Sequence, residues 1–217
     1  MSPKNISKFA TVLFLLISCI EILGVAIDSA LIQLLFKPLI IPSLIVLYYC
    51  SVQKRNYWYI AALFFSFLGD VFLLDKQDYF LFGVGAFLVT QLLYIKLMLG
   101  QVKDAKWVQM IFAAIPFGIY LTVFLSVLKP NLGELFVPVF FYGLSLSLFG
   151  VLALLNLILK RDQWSLVLFI GALLFILSDS MIALNKFHEA RDFYPVSIMV
   201  TYVSAQFLIY QYMSRRI

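Results

Sequence analysis

Two aspartates stand where water cannot reach them easily. The first closes the run Phe64-Phe65-Ser66-Phe67-Leu68-Gly69-Asp70, and the second sits in Leu173-Leu174-Phe175-Ile176-Leu177-Ser178-Asp179-Ser180. A charge at membrane depth costs at least a few kcal/mol, so each acid should face a protein interior or a wet cavity. Ser66, Gly69 and Asp70 are spaced i, i+3, i+4 and share one side of a helix. Gly69 removes a side chain beside the acid, leaving room for a neighbouring helix, a water or a substrate. Two buried carboxyls with small neighbours suit paired work: acid–base chemistry, proton-coupled transport, or a structural ion-pair network.

The elements that must position these acids are membrane helices. The chain of 217 residues is 64% hydrophobic and 12% charged, a composition of polytopic membrane proteins. Eight apolar segments each approach the ~20 residues a helix needs to cross the hydrocarbon core. They cover roughly 9–27, 30–52, 57–74, 79–99, 107–128, 134–159, 164–184 and 194–213. The fold class expected is all-α, a bundle of eight transmembrane helices in a single integral membrane domain. Trp58, Trp107 and Trp164 open segments, as interfacial aromatics do. Lys4 and Lys8 before the first run would also suit a signal peptide, but Glu21 inside it and the lack of a small-x-small cleavage site argue against that reading.

With eight spans, Lys4, Lys8, Lys54, Arg55, Lys103, Lys106, Lys160, Arg161, Arg215 and Arg216 fall on one side, and Lys76, Lys129, Lys186 and Arg191 on the other. This asymmetry places both termini in the cytoplasm of a multi-pass protein. It also accounts for the net charge of +5 without nucleic acid as a partner. Asp70 and Asp179 lie four segments apart, each followed by a segment with glutamine and tyrosine (Gln91 and Tyr94, Gln206 and Tyr210). The pattern is that of two parallel four-helix repeats.

At ~1.5 Å per residue, Asp70 lies about 6 Å inside the outer boundary, and Glu21, Lys37 and Asp179 fall near the same level. Gly83, Phe87, Thr90, Gln91 and Tyr94 recur along one face of the fourth segment, Tyr202 and Gln206 do so in the eighth, and Gln33 lies one turn before Lys37. For the tyrosines and glutamines, helix–helix hydrogen bonding is the plainer role. Pro38, Pro42, Pro116 and Pro138 should kink helices or loosen their ends, while Lys96 snorkels to the inner headgroups. Cys19 and Cys50 read as packing residues and His188 as a loop residue. No Cys/His spacing fits a metal, no cofactor fingerprint is present, and no Gly-x-Ser-x-Gly or Walker loop occurs. Any chemistry falls to carboxylates.

Phe36-Lys37-Pro38-Leu39, then Ser66-Phe67-Leu68-Gly69-Asp70, then Gly83, Phe87 and Tyr94, then Ser178-Asp179-Ser180, taken in order, resemble the lysoplasmalogenase family of YhhN-like membrane proteins. The resemblance runs from the second segment to the eighth. It implies an eight-span enzyme that hydrolyses the vinyl ether bond of a lysoplasmalogen to a fatty aldehyde and a glycerophospho-alcohol, with membrane lipids around it and a lysophospholipid as substrate. The family's two membrane aspartates match Asp70 and Asp179. One departure is Gln91, where many members carry histidine.

Vinyl ether cleavage starts by protonating the β-carbon, and water then captures the oxocarbenium ion. One carboxyl must supply the proton while another steadies the cation and activates the water, the division used by glycosidases. Asp179 is assigned as the acid and Asp70 as the carboxylate, an order the residues themselves leave open. Lys37 is expected to bind the substrate phosphate or to pair with an aspartate, with the phosphate role favoured, and Glu21 to support either. Ser66, Gln91, Tyr94, Ser178, Tyr202 and Gln206 complete the expected substrate-binding set. The competing readings are a proton-coupled carrier and a lipid-binding scaffold.

Overall fold

The computed structural model describes residues 3–75 and 78–216 and is all-α. Its helices are α1 (Pro3–Ala26), α2 (Ala30–Ser51), α3 (Tyr57–Phe72), α4 (Phe80–Leu99), α5 (Trp107–Leu132), α6 (Phe136–Lys160), α7 (Gln163–Phe187) and α8 (Tyr194–Arg216). The 3-10 turn Gly133–Leu135 joins α5 to α6, so that among the described residues the eight α-helices make seven helical runs. Among the described residues, five runs are long and apolar enough to cross a membrane: α1, α2, α4, the stretch Trp107–Lys160 and α7. At 16 residues α3 is shorter, about 24 Å against a hydrocarbon core of about 30 Å. Much of the surface is one that only lipid covers without cost: Phe9, Leu16 and Leu23 on α1 and Phe112, Ile115 and Ile119 on α5 are all more than half exposed.

The helix boundaries have local causes. Asn56 precedes α3 and its side chain accepts from the Trp58 and Tyr59 N–H groups at 2.9 and 3.2 Å. Asp162 does the same for α7 through the Ser165 N–H at 2.9 Å. Such caps satisfy N–H groups that a helix start leaves open. Trp58, Trp107 and Trp164 fall within the first two residues of their helices, as the sequence predicts. Helix α5 runs four residues past its expected end and takes Lys129 into its last turn, where a cation suits the helix dipole. Pro38, Pro42 and Pro116 lie inside helices that continue through them, and Pro138 is in the first turn of α6, where a missing N–H costs nothing. Lys76 lies outside the described residues. Cys19 is exposed and Cys50 half-buried, so Cys19 faces outward rather than packing.

The chain divides into two compact units, one of residues up to Leu93 together with the segment from Met213, the other Tyr94–Tyr212. In the first, α1 to α4 run up and down in sequence. Gly24 of α1 lies against Ile32 of α2, while near the other end the Ser7 and Ser51 hydroxyls are 3.0 Å apart. Tyr48 and Tyr59 meet edge to face across α2 and α3. Gly69 against Phe87, and Gly83 against Leu73, set α3 antiparallel to α4. The ends of α2 and α8 line one cleft in this unit, so the start of α1, the end of α2 and the end of α8 share one end of it.

In the second unit α5 to α8 alternate likewise. Gly150 against Phe117, and Gly143 against Phe124, make α5 and α6 antiparallel. Asn156 donates to the Ser165 hydroxyl at 3.2 Å between α6 and α7. Gly171 packs on Ala205, Leu208 and Ile209 of α8. Phe124, Leu128, Leu132 and Val139 form an apolar cluster that Ala183, Leu184 and Phe187 of α7 extend.

Without a hydrophobic force between helices in lipid, close approach at glycine holds such bundles together. A Cβ on Gly150 would stand 2.2 Å from the Phe117 ring, whereas one on Gly118 would meet nothing within 4 Å. Gly150→Ala should therefore cost about 1–2 kcal/mol, the overpacking penalty less the better helix propensity of alanine. Gly118→Ala should leave the melting temperature in detergent unchanged or slightly raised. Equal melting of the two variants would mean that the α5–α6 approach is looser than this packing.

Candidate functional site

Each aspartate sits in its own unit with its own shell. In the first unit Asp70 is on α3 and only 3% exposed. The space left by Gly69 is taken by a helix neighbour: a Cβ there would lie 2.6 Å from the Phe87 ring of α4. One turn earlier the Ser66 hydroxyl donates to Thr90 at 3.3 Å. Thr90 in turn bonds the carbonyls of Ala62 and Ala86, both at 3.2 Å. This threads a polar seam between α3 and α4 and fixes the register that holds Asp70.

The predicted face of α4 is real as a packing face, for Gly83, Phe87, Thr90, Gln91 and Tyr94 are all buried. Gln91 is fully buried and both its amide atoms lack a hydrogen-bond partner. Glu21 of α1 is likewise fully buried, with no hydrogen-bond partner for either carboxylate oxygen, and the Ser18 hydroxyl one turn before it has none. Buried polar groups of this kind are rare and each needs a reason, such as water, an ion or a ligand. Half-buried Lys37 of α2 lies within electrostatic reach of Glu21. Glu21 of α1 is thus one acid that the charge of this lysine reaches. Gln33 is half-buried one turn away, and Lys96 is exposed.

In the second unit Asp179 is also 3% exposed. The Tyr142 hydroxyl of α6 donates to its Oδ2. On the next residue, the Ser180 hydroxyl lies 2.7 Å from that of Tyr120 on α5 and bonds back to the Ile176 carbonyl at 2.6 Å. Tyr120 is near enough to feel both Asp179 and Tyr142 electrostatically. Asp179 therefore lies within a small network of hydroxyls drawn from α5, α6 and α7. Ser178 ties α7 to α8 by donating to the Ile198 carbonyl at 3.1 Å.

A second cluster surrounds Tyr94, whose hydroxyl donates to Gln206 at 2.9 Å. The Gln206 amide reaches the Tyr202 hydroxyl at 3.4 Å. The rings of Phe149, Phe175 and Tyr202 enclose this line. Tyr94, Tyr202 and Gln206 thus form a hydrogen-bonded set, the helix-joining role that their residue types favour.

Tyr142, Tyr120 and Ser180 were not among the expected site residues. One tyrosine in an apolar helix looks like any of the other 11 of the 12 in the chain, and only the packing of α5 and α6 on α7 brings these two to Asp179. His188 follows the last turn of α7. Beyond it, outside the apolar helices, Arg191 bonds Glu189 at 3.2 and 2.7 Å. That hydrogen bond and charge hold the Glu189 carboxyl below its usual range. The pair is exposed and contributes little.

The chain has clear relatives. It is 35% identical over 163 residues to the lysoplasmalogenase TMEM86A of Bos taurus, covering 68% of this chain and 61% of that protein. The human lysoplasmalogenase TMEM86A is 34% identical over 155 residues, with the same coverage. The lysoplasmalogenase of Mycobacterium tuberculosis is 31% identical over 163 residues, covering 73% of this chain and 60% of that protein. The chain therefore spans about three-fifths of the length of the curated relatives it matches. No solved structure gives a significant match. The YhhN family profile matches residues 32–213, from α2 to the last turns of α8. A multi-pass set of apolar helices matched over that whole length makes this chain a member of the YhhN family.

Proposed function

We propose that this protein is a membrane-embedded hydrolase that cleaves the vinyl ether bond of a lysoplasmalogen or a related lysophospholipid. The observation that carries the reading is Asp179, a carboxyl shielded from solvent in an apolar helix and oriented by the Tyr142 hydroxyl. The names of the relatives favour the same chemistry. Asp179 delivers a proton to the β-carbon of the vinyl ether, and the former double-bond electrons form the new C–H bond. The resulting oxocarbenium ion is captured by water, whose proton passes to the Asp70 carboxylate. The hemiacetal then collapses to a fatty aldehyde and the free glycerol hydroxyl. No redox partner is needed. Tyr142 occupies one oxygen of Asp179 and so sets the direction of the other. Ser66, Gln91 and Ser178 are assigned to substrate contact, as are Tyr94, Tyr202 and Gln206, while Glu21 and Lys37 serve its polar end.

The same reading takes all eight helices as spans, in two parallel four-helix repeats with both termini in the cytoplasm. The shared end of the start of α1 and the end of α8 supports an even number of crossings. Reporter fusions after Lys54 and at the C-terminus should both report cytoplasm, and one near Asp78 the opposite side. Termini on opposite sides would end the eight-span reading.

Detergent-purified protein given a 1-alkenyl lysophospholipid should release aldehyde with one glycerophospho-alcohol per turnover. A 1-alkyl analogue, which has no double bond to protonate, should release none. Movement of lysolipid only in sealed vesicles, with no aldehyde, would make the protein a carrier. Binding without either would make it a scaffold.

A further inference from the structure

We infer that the first unit carries a binding site for a phosphoryl-bearing anion at the end where α2 and α8 finish. A cleft of about 420 Å³ opens there, with Ser51, Lys54, Ser214, Arg215 and Arg216 in its wall. Three of its eight lining residues are cationic and none is acidic. The volume lies in the range of small-molecule sites, large enough for a phosphoryl group with its glycerol.

Basic residues are common on the cytoplasmic side of membrane proteins, and scattered charge alone would not make a site. Here the backbone that carries Lys54 is held from several sides. The Val52 N–H donates to the Tyr48 carbonyl at 3.2 Å, and the Asn56 N–H to the Tyr48 hydroxyl at 3.0 Å. Asn56 caps α3, and the Arg55 guanidinium sits 4.5 Å from the centre of the Tyr49 ring. Ser51 is tied to Ser7 of α1.

The level of the cleft completes the case. Tyr57 and Trp58 at the start of α3 are both more than half exposed and only a few residues from Lys54. Exposed aromatics of this kind mark the headgroup layer, where lipid phosphates reside. A lipid headgroup and a soluble phosphate share the chemistry that this cleft recognises. None of its residues belongs to the proposed hydrolytic machinery, so the site stands or falls separately from that reading.

Thermal unfolding of the full chain in detergent tests the site, with dihexanoyl phosphatidic acid, dihexanoyl phosphatidylcholine and inorganic phosphate as probes. Phosphatidic acid should raise the midpoint in a saturable way, because a ligand bound only to the folded state stabilises it, and phosphatidylcholine should do so far less. Lys54→Gln with Arg215→Gln and Arg216→Gln should weaken that response about 100-fold, at about five-fold per cation. Lys103→Gln with Lys160→Gln, which removes two exposed cations outside the cleft, should leave it unchanged. If the triple variant does not fold, Lys54→Gln alone should weaken binding about five-fold. An equal rise with inorganic phosphate supports the site and assigns it to a soluble phosphate. No rise with any probe, or equal weakening in the cleft and control variants, overturns it.

Discussion

Asp179→Asn is expected to lower aldehyde release by about 10²–10⁴ while the protein still folds, the usual loss when one acid–base group is removed. Asparagine keeps the size of the side chain, and its amide oxygen can still accept from Tyr142. The bridge between α6 and α7 therefore persists, while the group that delivers the proton is gone. Asp70→Asn should cost a similar factor for a different reason, because a neutral amide neither steadies an oxocarbenium ion nor takes a proton from water. The seam of Ser66 and Thr90 beside it does not depend on the charge, so expression and melting should hold. Aldehyde release and melting temperature must be measured on the same preparations. Turnover within ten-fold of the parent, at normal melting, would remove that aspartate from the reaction.

Lys37→Met is expected to destabilise the protein by about 3–5 kcal/mol where the buried carboxylate within its reach stays charged, and by much less where that acid takes up a proton instead. The carboxylate is Glu21, which is fully buried and has Lys37 within electrostatic reach. Adding Glu21→Gln to Lys37→Met should recover most of the loss, since the charge that lacked a partner is then absent. Such non-additivity is the signature of two coupled residues. The measurement is unfolding of all four proteins in one detergent, with and without a non-hydrolysable ether lysolipid. If Lys37→Met melts normally and only the lysolipid-induced shift is lost, the lysine serves the substrate's phosphate alone and does not act as a counter-charge for Glu21.

Positions along the helices were legible in the residues because the lipid solvent imposes them. A stretch such as that from Ser165 to Leu184 must satisfy its own backbone in hydrocarbon, and only a helix does so within one segment. The tryptophans near the helix starts follow from the same solvent. The burial of Asp70 and Asp179 was equally readable, since an acid in such a run has nowhere else to go. The helix ends were less so: α5 passes its expected limit to Leu132, and apolar composition does not mark where a chain turns when Pro130 and Gly133 are both nearby.

The sequence by itself determined an all-α membrane protein, the residue types available for chemistry, and the two acids around which that chemistry is proposed. It could do so because hydrophobic length and isolated charge are properties of one helix at a time. Tertiary structure alone decided the partners. It put Tyr142 rather than another tyrosine on Asp179, filled the space beside Gly69 with Phe87, joined Tyr94 to Gln206, and brought Lys37 within electrostatic reach of Glu21. Each of these depends on how one helix is rotated and shifted against the next, which close packing at small residues fixes and which the spacing along a single helix does not contain.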